Sequence, residues 1–138
     1  VRYGADLSLS PGPELAAEIR EFTGGAGADV VIDCVGSDDT LAAAAACARQ
    51  LGDITIVGIA GGTLPVSFFG VPYEVSVQTT YWGNRRELVE VLDLASRGLL
   101  TAETSLYTLD DAALAYQDLA HGTVSGRAVV VPTDSYRP

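Results

Sequence analysis

The stretch Gly24-Gly25-Ala26-Gly27-Ala28-Asp29-Val30-Val31-Ile32-Asp33-Cys34-Val35-Gly36 decides the fold. A glycine-rich turn leads into Val30, Val31, Ile32, Cys34 and Val35. This nearly continuous apolar run is the pattern of a parallel-sheet strand covered on both faces, and it ends at Gly36. Working back, Leu15, Ile19 and Phe22 recur at helical spacing up to the Gly24-Gly25 stop, and Pro13 suits a first helical position after the Pro11-Gly12 break. Asp6 to Leu9 reads as a short first strand. Working forward, Asp38 or Asp39 is expected to cap an alanine-rich helix running to Gln50 and stopped by Gly52. Ile54 to Ile59 is then a strand, with Gly58, Gly61 and Gly62 at its carboxyl end.

The rest of the chain keeps the same alternation. Leu64 to Tyr73 holds neither period and is expected to be irregular. Val75, Val77, Thr79 and Tyr81 alternate with Ser76, Gln78, Thr80 and Trp82, as in a strand with one more polar face, suited to a sheet edge. Asn84 with Glu87 three residues on forms an Asn-type capping box, and Leu88, Val91, Leu92 and Ala95 make an amphipathic stripe up to Arg97-Gly98. Ser105 to Thr108 is a short strand. Asp110 is expected to cap a helix carrying Ala112, Ala115, Tyr116 and Leu119, and Arg127 to Val131 is a last strand, followed by a polar tail from Thr133. Strands alternating with helices indicate an α/β fold with a mainly parallel sheet.

Composition narrows the function classes. The 138 residues are 48% hydrophobic and 19% charged, which is globular. Eighteen acids against eight bases give a net charge of −10, so no basic surface exists for nucleic acid or an anionic membrane. All eight bases are arginines, which excludes any chemistry built on a lysine amine. Cys34 and Cys47 sit in apolar stretches outside any close-spaced framework, as in a reducing cytoplasm. No apolar run approaches the roughly 20 residues of a membrane span, and the start resembles no signal peptide. Val1-Arg2-Tyr3-Gly4 reads instead as the last turn of a helix reaching a glycine stop, so the chain is expected to begin within a fold.

Ligands of open parallel sheets bind beyond the carboxyl ends of the strands. Those ends are Val35-Gly36, Gly58 to Gly62, and Tyr81-Trp82-Gly83. Their glycines either make tight strand-to-loop turns or let backbone approach a flat ligand. No G-x-G-x-x-G opens a helix, and Gly24 to Gly27 follows a helix and precedes a strand, the wrong order for a phosphate turn. Residues and spacing therefore support an α/β unit with a ligand crevice and leave the cofactor unnamed. Asp33 is read as a strand-end carboxylate accepting nearby backbone N–H groups, and His121 as a helix C-terminal residue suited to the dipole.

The run quoted first, then Gly52-Asp53-Ile54-Thr55-Ile56-Val57-Gly58, then Tyr81-Trp82-Gly83-Asn84-Arg85-Arg86-Glu87-Leu88, and finally Gly126-Arg127-Ala128-Val129-Val130-Val131-Pro132 form an ordered set. Their order and spacing, from Tyr3 to Pro132, resemble the C-terminal part of medium-chain zinc-dependent alcohol dehydrogenases, with bacterial NAD-dependent members looking closest. The resemblance implies an incomplete doubly wound, Rossmann-like parallel sheet that lacks the first βαβ with its glycine-rich turn. It implies that residues 1–121 are the C-terminal part of a nucleotide-binding domain and that 122–138 return to a catalytic domain.

By the same resemblance Val35 and Gly36 border the adenine side of NAD, with NADP as the other candidate. Val57, Gly58 and Ile59 lie under the nicotinamide riboside, and the backbone at Tyr81 and Trp82 bonds the carboxamide. Tyr81 and Trp82 also shape the substrate pocket, and Arg127 reaches the pyrophosphate. Without the resemblance, Arg127 reads as a surface charge and Trp82 as a packing residue. The catalytic zinc needs three protein ligands and an open position. One His and two Cys are an implausible set, so its ligands and the catalytic residues are expected upstream.

The implied activity is hydride transfer between an alcohol and NAD(P), with no turnover by this chain alone. A zinc-free NADPH-dependent quinone or enoyl reductase of the same superfamily and a non-catalytic α/β binding module are the alternatives. The resemblance also implies a homo-oligomer through the 75–81 strand, with a small alcohol or ketone as substrate. In the sheet order 3-2-1-4-5-6, the usual neighbours of the Val30 to Val35 strand are not encoded here, so its outer edge is expected to be open or covered by a partner.

Overall fold

A computed structural model describes residues 4–132. The helix-end reading at Val1 to Tyr3 and the polar tail from Thr133 lie outside the described residues. The order is α1 (Leu15–Phe22), β1 (Ala28–Asp33), α2 (Asp38–Cys47), β2 (Ala48–Ile56), β3 (Ser76–Thr79), α3 (Arg85–Ser96), β4 (Thr104–Thr108), α4 (Ala112–Ala120) and β5 (Arg127–Val131). The chain divides into two compact units between Trp82 and Gly83.

The first unit is a three-stranded parallel sheet in the order β1-β2-β3, with α1 packed on α2 and α2 on the sheet. Its core is small. Leu41, Ala44 and Ala48 fall at helical spacing on one side of α2 and its exit, and Ala44 and Ala48 meet Ile54, the one fully buried large side chain among the described residues. Val31, Ile56, Val75 and Val77 pack around them. Full burial of an isoleucine contributes about 1.5–3 kcal/mol, so Ile54 is the energetic centre of this unit. The alanines let α2 lie close to the strands.

Several expectations are corrected. Asp6 to Leu9 forms no strand, since a strand exists only in a ladder and no described residue pairs with it. The cap of α2 is Ser37, and neither Asp38 nor Asp39: the Ser37 Oγ accepts from the Thr40 N–H while the Thr40 Oγ1 accepts from the Ser37 N–H. That helix ends at Cys47 instead of Gln50, because β2 starts at once at Ala48 opposite Ala28. The register then jumps, with Val30 opposite Asp53, and Leu51 takes a φ of 60° to absorb the extra residues. Finally, β1 is covered on one face alone: Val31 packs on the core, while Val30 and Ile32 are exposed. β1 pairs with β2 only, so its outer edge is open among the described residues. β3 is the opposite edge strand, and β2 ends at Ile56, short of Ile59.

The second unit contains α3 and the parallel pair β4-β5 with α4 packed against it. α3 opens with the expected box: Asn84 Oδ1 accepts from the Arg86 and Glu87 N–H groups, and Glu87 Oε2 accepts from the Asn84 N–H. α4 begins one residue later than expected, after Asp111, whose carboxylate accepts from the Thr108 hydroxyl and leaves the helix without a side-chain cap bond.

Candidate functional site

β1 ends on Asp33, a carboxylate only 6% exposed. Its Oδ1 accepts from the Val35 N–H at 2.8 Å and the Gly36 N–H at 3.0 Å, and its Oδ2 accepts from the Thr40 hydroxyl at 2.9 Å. Burial pushes the carboxyl pKa upward, but the bonds from Val35, Gly36 and Thr40 together outweigh it and hold the pKa below the usual value. The strand-end reading of Asp33 is thus borne out. Thr40 as a third partner was missed, because it reaches back from the first turn of the following helix.

Asp33 also joins two loops. Its carbonyl accepts from the Val57 and Gly58 N–H groups at 2.8 and 3.0 Å, while the Val35 and Gly36 carbonyls accept from Ala60 and Gly62 at 3.1 and 2.8 Å. The two strand exits therefore run side by side at backbone distance. A Cβ on Gly58 would collide with the Val35 backbone, and one on Gly36, whose φ is 75°, would collide with the Gly58 carbonyl. These glycines let loop lie against loop, the tight-turn option.

What faces outward is different in kind. Val35 and Val57 are exposed, and Ile59 is 89% exposed just past β2. The N–H groups of Ile59 and Gly61 donate to no acceptor among the described residues, in alternation with the bonded Ala60 and Gly62. β3 ends beside β2, with the Thr80 N–H donating to the Ile56 carbonyl at 3.1 Å, and leads to Tyr81 and Trp82, 86% and 77% exposed. Their rings meet edge to face, with centroids 6.1 Å apart. Parallel pairing brings Val35, Gly36, Val57, Gly58, Ile59, Tyr81 and Trp82 to the same end of one sheet. Arg127 is in the second unit, at the start of β5, where its N–H donates to the Glu103 carbonyl.

The residues do not fit a zinc ion. No group of three or more His, Cys, Asp or Glu side chains able to hold a metal occurs among the described residues. Cys34 is exposed beyond β1, Cys47 is buried in α2, and His121 closes α4. Burial raises the Cys47 thiol pKa, partly opposed by Arg20, which disfavours the thiolate a metal needs.

A small open parallel sheet with a helix joining its first two strands and an exposed apolar rim at its carboxyl edge defines an α/β unit of the Rossmann-like class. The family model described as zinc-binding dehydrogenase matches residues 2–97. The chain belongs to that family.

A curated NAD-dependent alcohol dehydrogenase of Sulfolobus acidocaldarius is 36% identical over 133 residues, which are 94% of this chain and 38% of the relative. The crystal structure of an alcohol dehydrogenase from the hyperthermophilic archaeon Aeropyrum pernix matches with a TM-score of 0.83 and 32% identity, over 95% of this chain and 38% of that one. A mycobacterial quinone oxidoreductase matches with a TM-score of 0.69 and 28% identity, over 95% of this chain and 44% of that one. The chain thus spans well under half the length of these relatives. No helix among the described residues is long and apolar enough to cross a membrane.

Proposed function

We propose that this chain forms one wall of an NAD(P) site in an oxidoreductase that moves hydride between an alcohol and its ketone or aldehyde. The observation that carries the reading is the exposed apolar rim at the strand ends: Val35, Val57, Ile59, Tyr81 and Trp82 stand in solvent on one edge of a sheet whose core is small. When bound, NAD(P) supplies a nicotinamide that accepts or returns the hydride. Val57 and Ile59 cover its riboside side and keep water from the reacting face. The Ile59 and Gly61 N–H groups are available to acceptors on the ligand. Val35 and Gly36 border the adenine side, and the Tyr81-Trp82 backbone bonds the carboxamide. Trp82 and Tyr81 narrow the substrate pocket with apolar surface.

The rest of the reading follows the family. Residues 122–138 return to a catalytic domain, and that domain, outside this chain, holds the zinc, so no step here runs through it. The enzyme works in the cytoplasm as a homo-oligomer joined at the open edge of β3, and this chain alone turns over no alcohol. The similarity to a quinone oxidoreductase favours a second reading, NADPH-dependent reduction of a quinone or enone by a zinc-free relative.

Trp82 is the single tryptophan and makes the test direct. Titration of the chain with NADH and NADPH should quench its fluorescence saturably, with a Kd of about 1 mM for a one-sided site. A Kd near ~1 μM would favour a complete binding module, and no saturable quenching by about 10 mM of either nucleotide would overturn the proposal.

A further inference from the structure

A second concavity lies at the amino ends of β1 and β2, the edge of the sheet opposite the strand-end rim. Its volume is about 710 Å³, within the range of small-molecule sites. Arg20, from the last turn of α1, and Arg49, from the start of β2, both line it, together with Gln50, Leu51, Phe69 and Tyr73. A chain of net charge −10 has placed two of its eight arginines on this wall, and no Asp or Glu lines it among the described residues.

The two guanidiniums are held without being used up. Arg20 donates through Nη1 to the Ala16 carbonyl at 3.3 Å and through Nη2 to the Ala46 carbonyl at 2.7 Å, and it pairs with no carboxylate among the described residues. Arg49 donates through Nε to Asp29 Oδ1 at 2.5 Å and through Nη1 to the Gln50 carbonyl at 2.7 Å. These bonds orient each planar fork and leave other N–H groups on both uncommitted. Two guanidiniums against the single Asp29 carboxylate leave one net positive charge, which one monoanion balances. A phosphate dianion would overshoot it in a chain that is already acidic. Apolar surface in the same lining comes from Leu51, Phe69 and Tyr73: the Leu51 N–H, held at the irregular register of β2, donates to the Tyr73 carbonyl at 3.1 Å, and the Tyr73 ring packs on Phe68.

We propose that this concavity binds a monocarboxylate with an apolar body, its carboxylate on the Arg20 and Arg49 forks and its hydrocarbon against Leu51, Phe69 and Tyr73. The site is independent of the nucleotide reading and is tested without a nucleotide. The probes are octanoate, octanol and inorganic phosphate, added to the ¹⁵N-labelled full chain. Octanoate should shift the Gly25, Ala26, Leu51 and Tyr73 amides saturably. Octanol, the same body without charge, should bind about tenfold more weakly, and phosphate likewise. Arg20→Gln should weaken octanoate about tenfold, while Arg97→Gln, just past the end of α3, leaves it unchanged. No saturable shift by about 10 mM octanoate, equal affinity for octanol, or equal affinity for phosphate overturns the proposal, and the octanol comparison stands even if Arg20→Gln misfolds.

Discussion

Residues up to Trp82 and residues from Gly83 onward are both built from strands and helices in parallel order, yet they are held by different forces. In the first unit Leu41, Ala44, Cys47, Ala48 and Ile54 are buried, and the Asp33 carbonyl ties two loops together. In the second, Ala115 alone is buried among the described residues. Its helix α3 rests on the Asn84 box and on the i,i+4 pairs Arg86–Glu90 and Arg97–Asp93. Such exposed pairs contribute only a few tenths of a kcal/mol each. Local caps and pairs shape α3, and the β4-β5 ladder is the second unit's long-range element, whereas the first unit has in addition the buried core that makes a site rigid.

The contrast breaks or sharpens under substitution. Ile54→Ala should cost about 4 kcal/mol in the first unit, because it empties the centre of a small core; chemical denaturation read at Trp82 measures it. Gly58→Ala should cost about 3 kcal/mol on the same readout, since the neighbour it meets is the Val35 backbone and cannot swing aside.

Asp33→Asn should cost about 2 kcal/mol at neutral pH by weakening three hydrogen bonds to a charged acceptor. Its pH dependence has a definite sign. The folded-state pKa of Asp33 lies below the unfolded value near ~4, so the carboxylate's contribution is fully present above that value. It is lost as pH falls through the folded pKa. The stability gap between wild type and Asp33→Asn should be flat above about pH 5 and shrink below about pH 4. A gap that widens in acid would contradict the hydrogen-bond account. Asn84→Ala, the smallest effect, should cost about 1 kcal/mol and appear as faster amide exchange in α3, with the β2 amides around Ile54 unchanged.

Legibility from sequence follows the same division. The α3 box, the β4 and β5 strands and the Asp33 turn were readable because each is written within a few consecutive residues. The Ser37 cap was hidden beside two acids that are themselves good caps, although Ser37 and Thr40 carry the reciprocal spacing. Asp6 to Leu9 has strand composition, but composition cannot supply a neighbour. The end of α2 at Cys47 depends on where Ala28 meets Ala48, a register set across the sheet. At the candidate site the residues of the rim were all named from sequence and tight turns were one reading of its glycines, while the partner each glycine meets was not legible. Gly36 and Gly58 serve each other, a contact between residues far apart in the chain. The Arg20 and Arg49 concavity was invisible for the same reason.

The central claim is that the strand-end rim, and not another face, receives the nucleotide. Amide shift mapping of the ¹⁵N-labelled chain with NADH tests it most directly. The account predicts shifts concentrated at Val35, Ile59, Gly61, Tyr81 and Trp82, growing saturably and lost in Gly58→Ala. Shifts confined to the opposite edge, at Gly25, Leu51 and Tyr73, or no saturable shift at all, would contradict it.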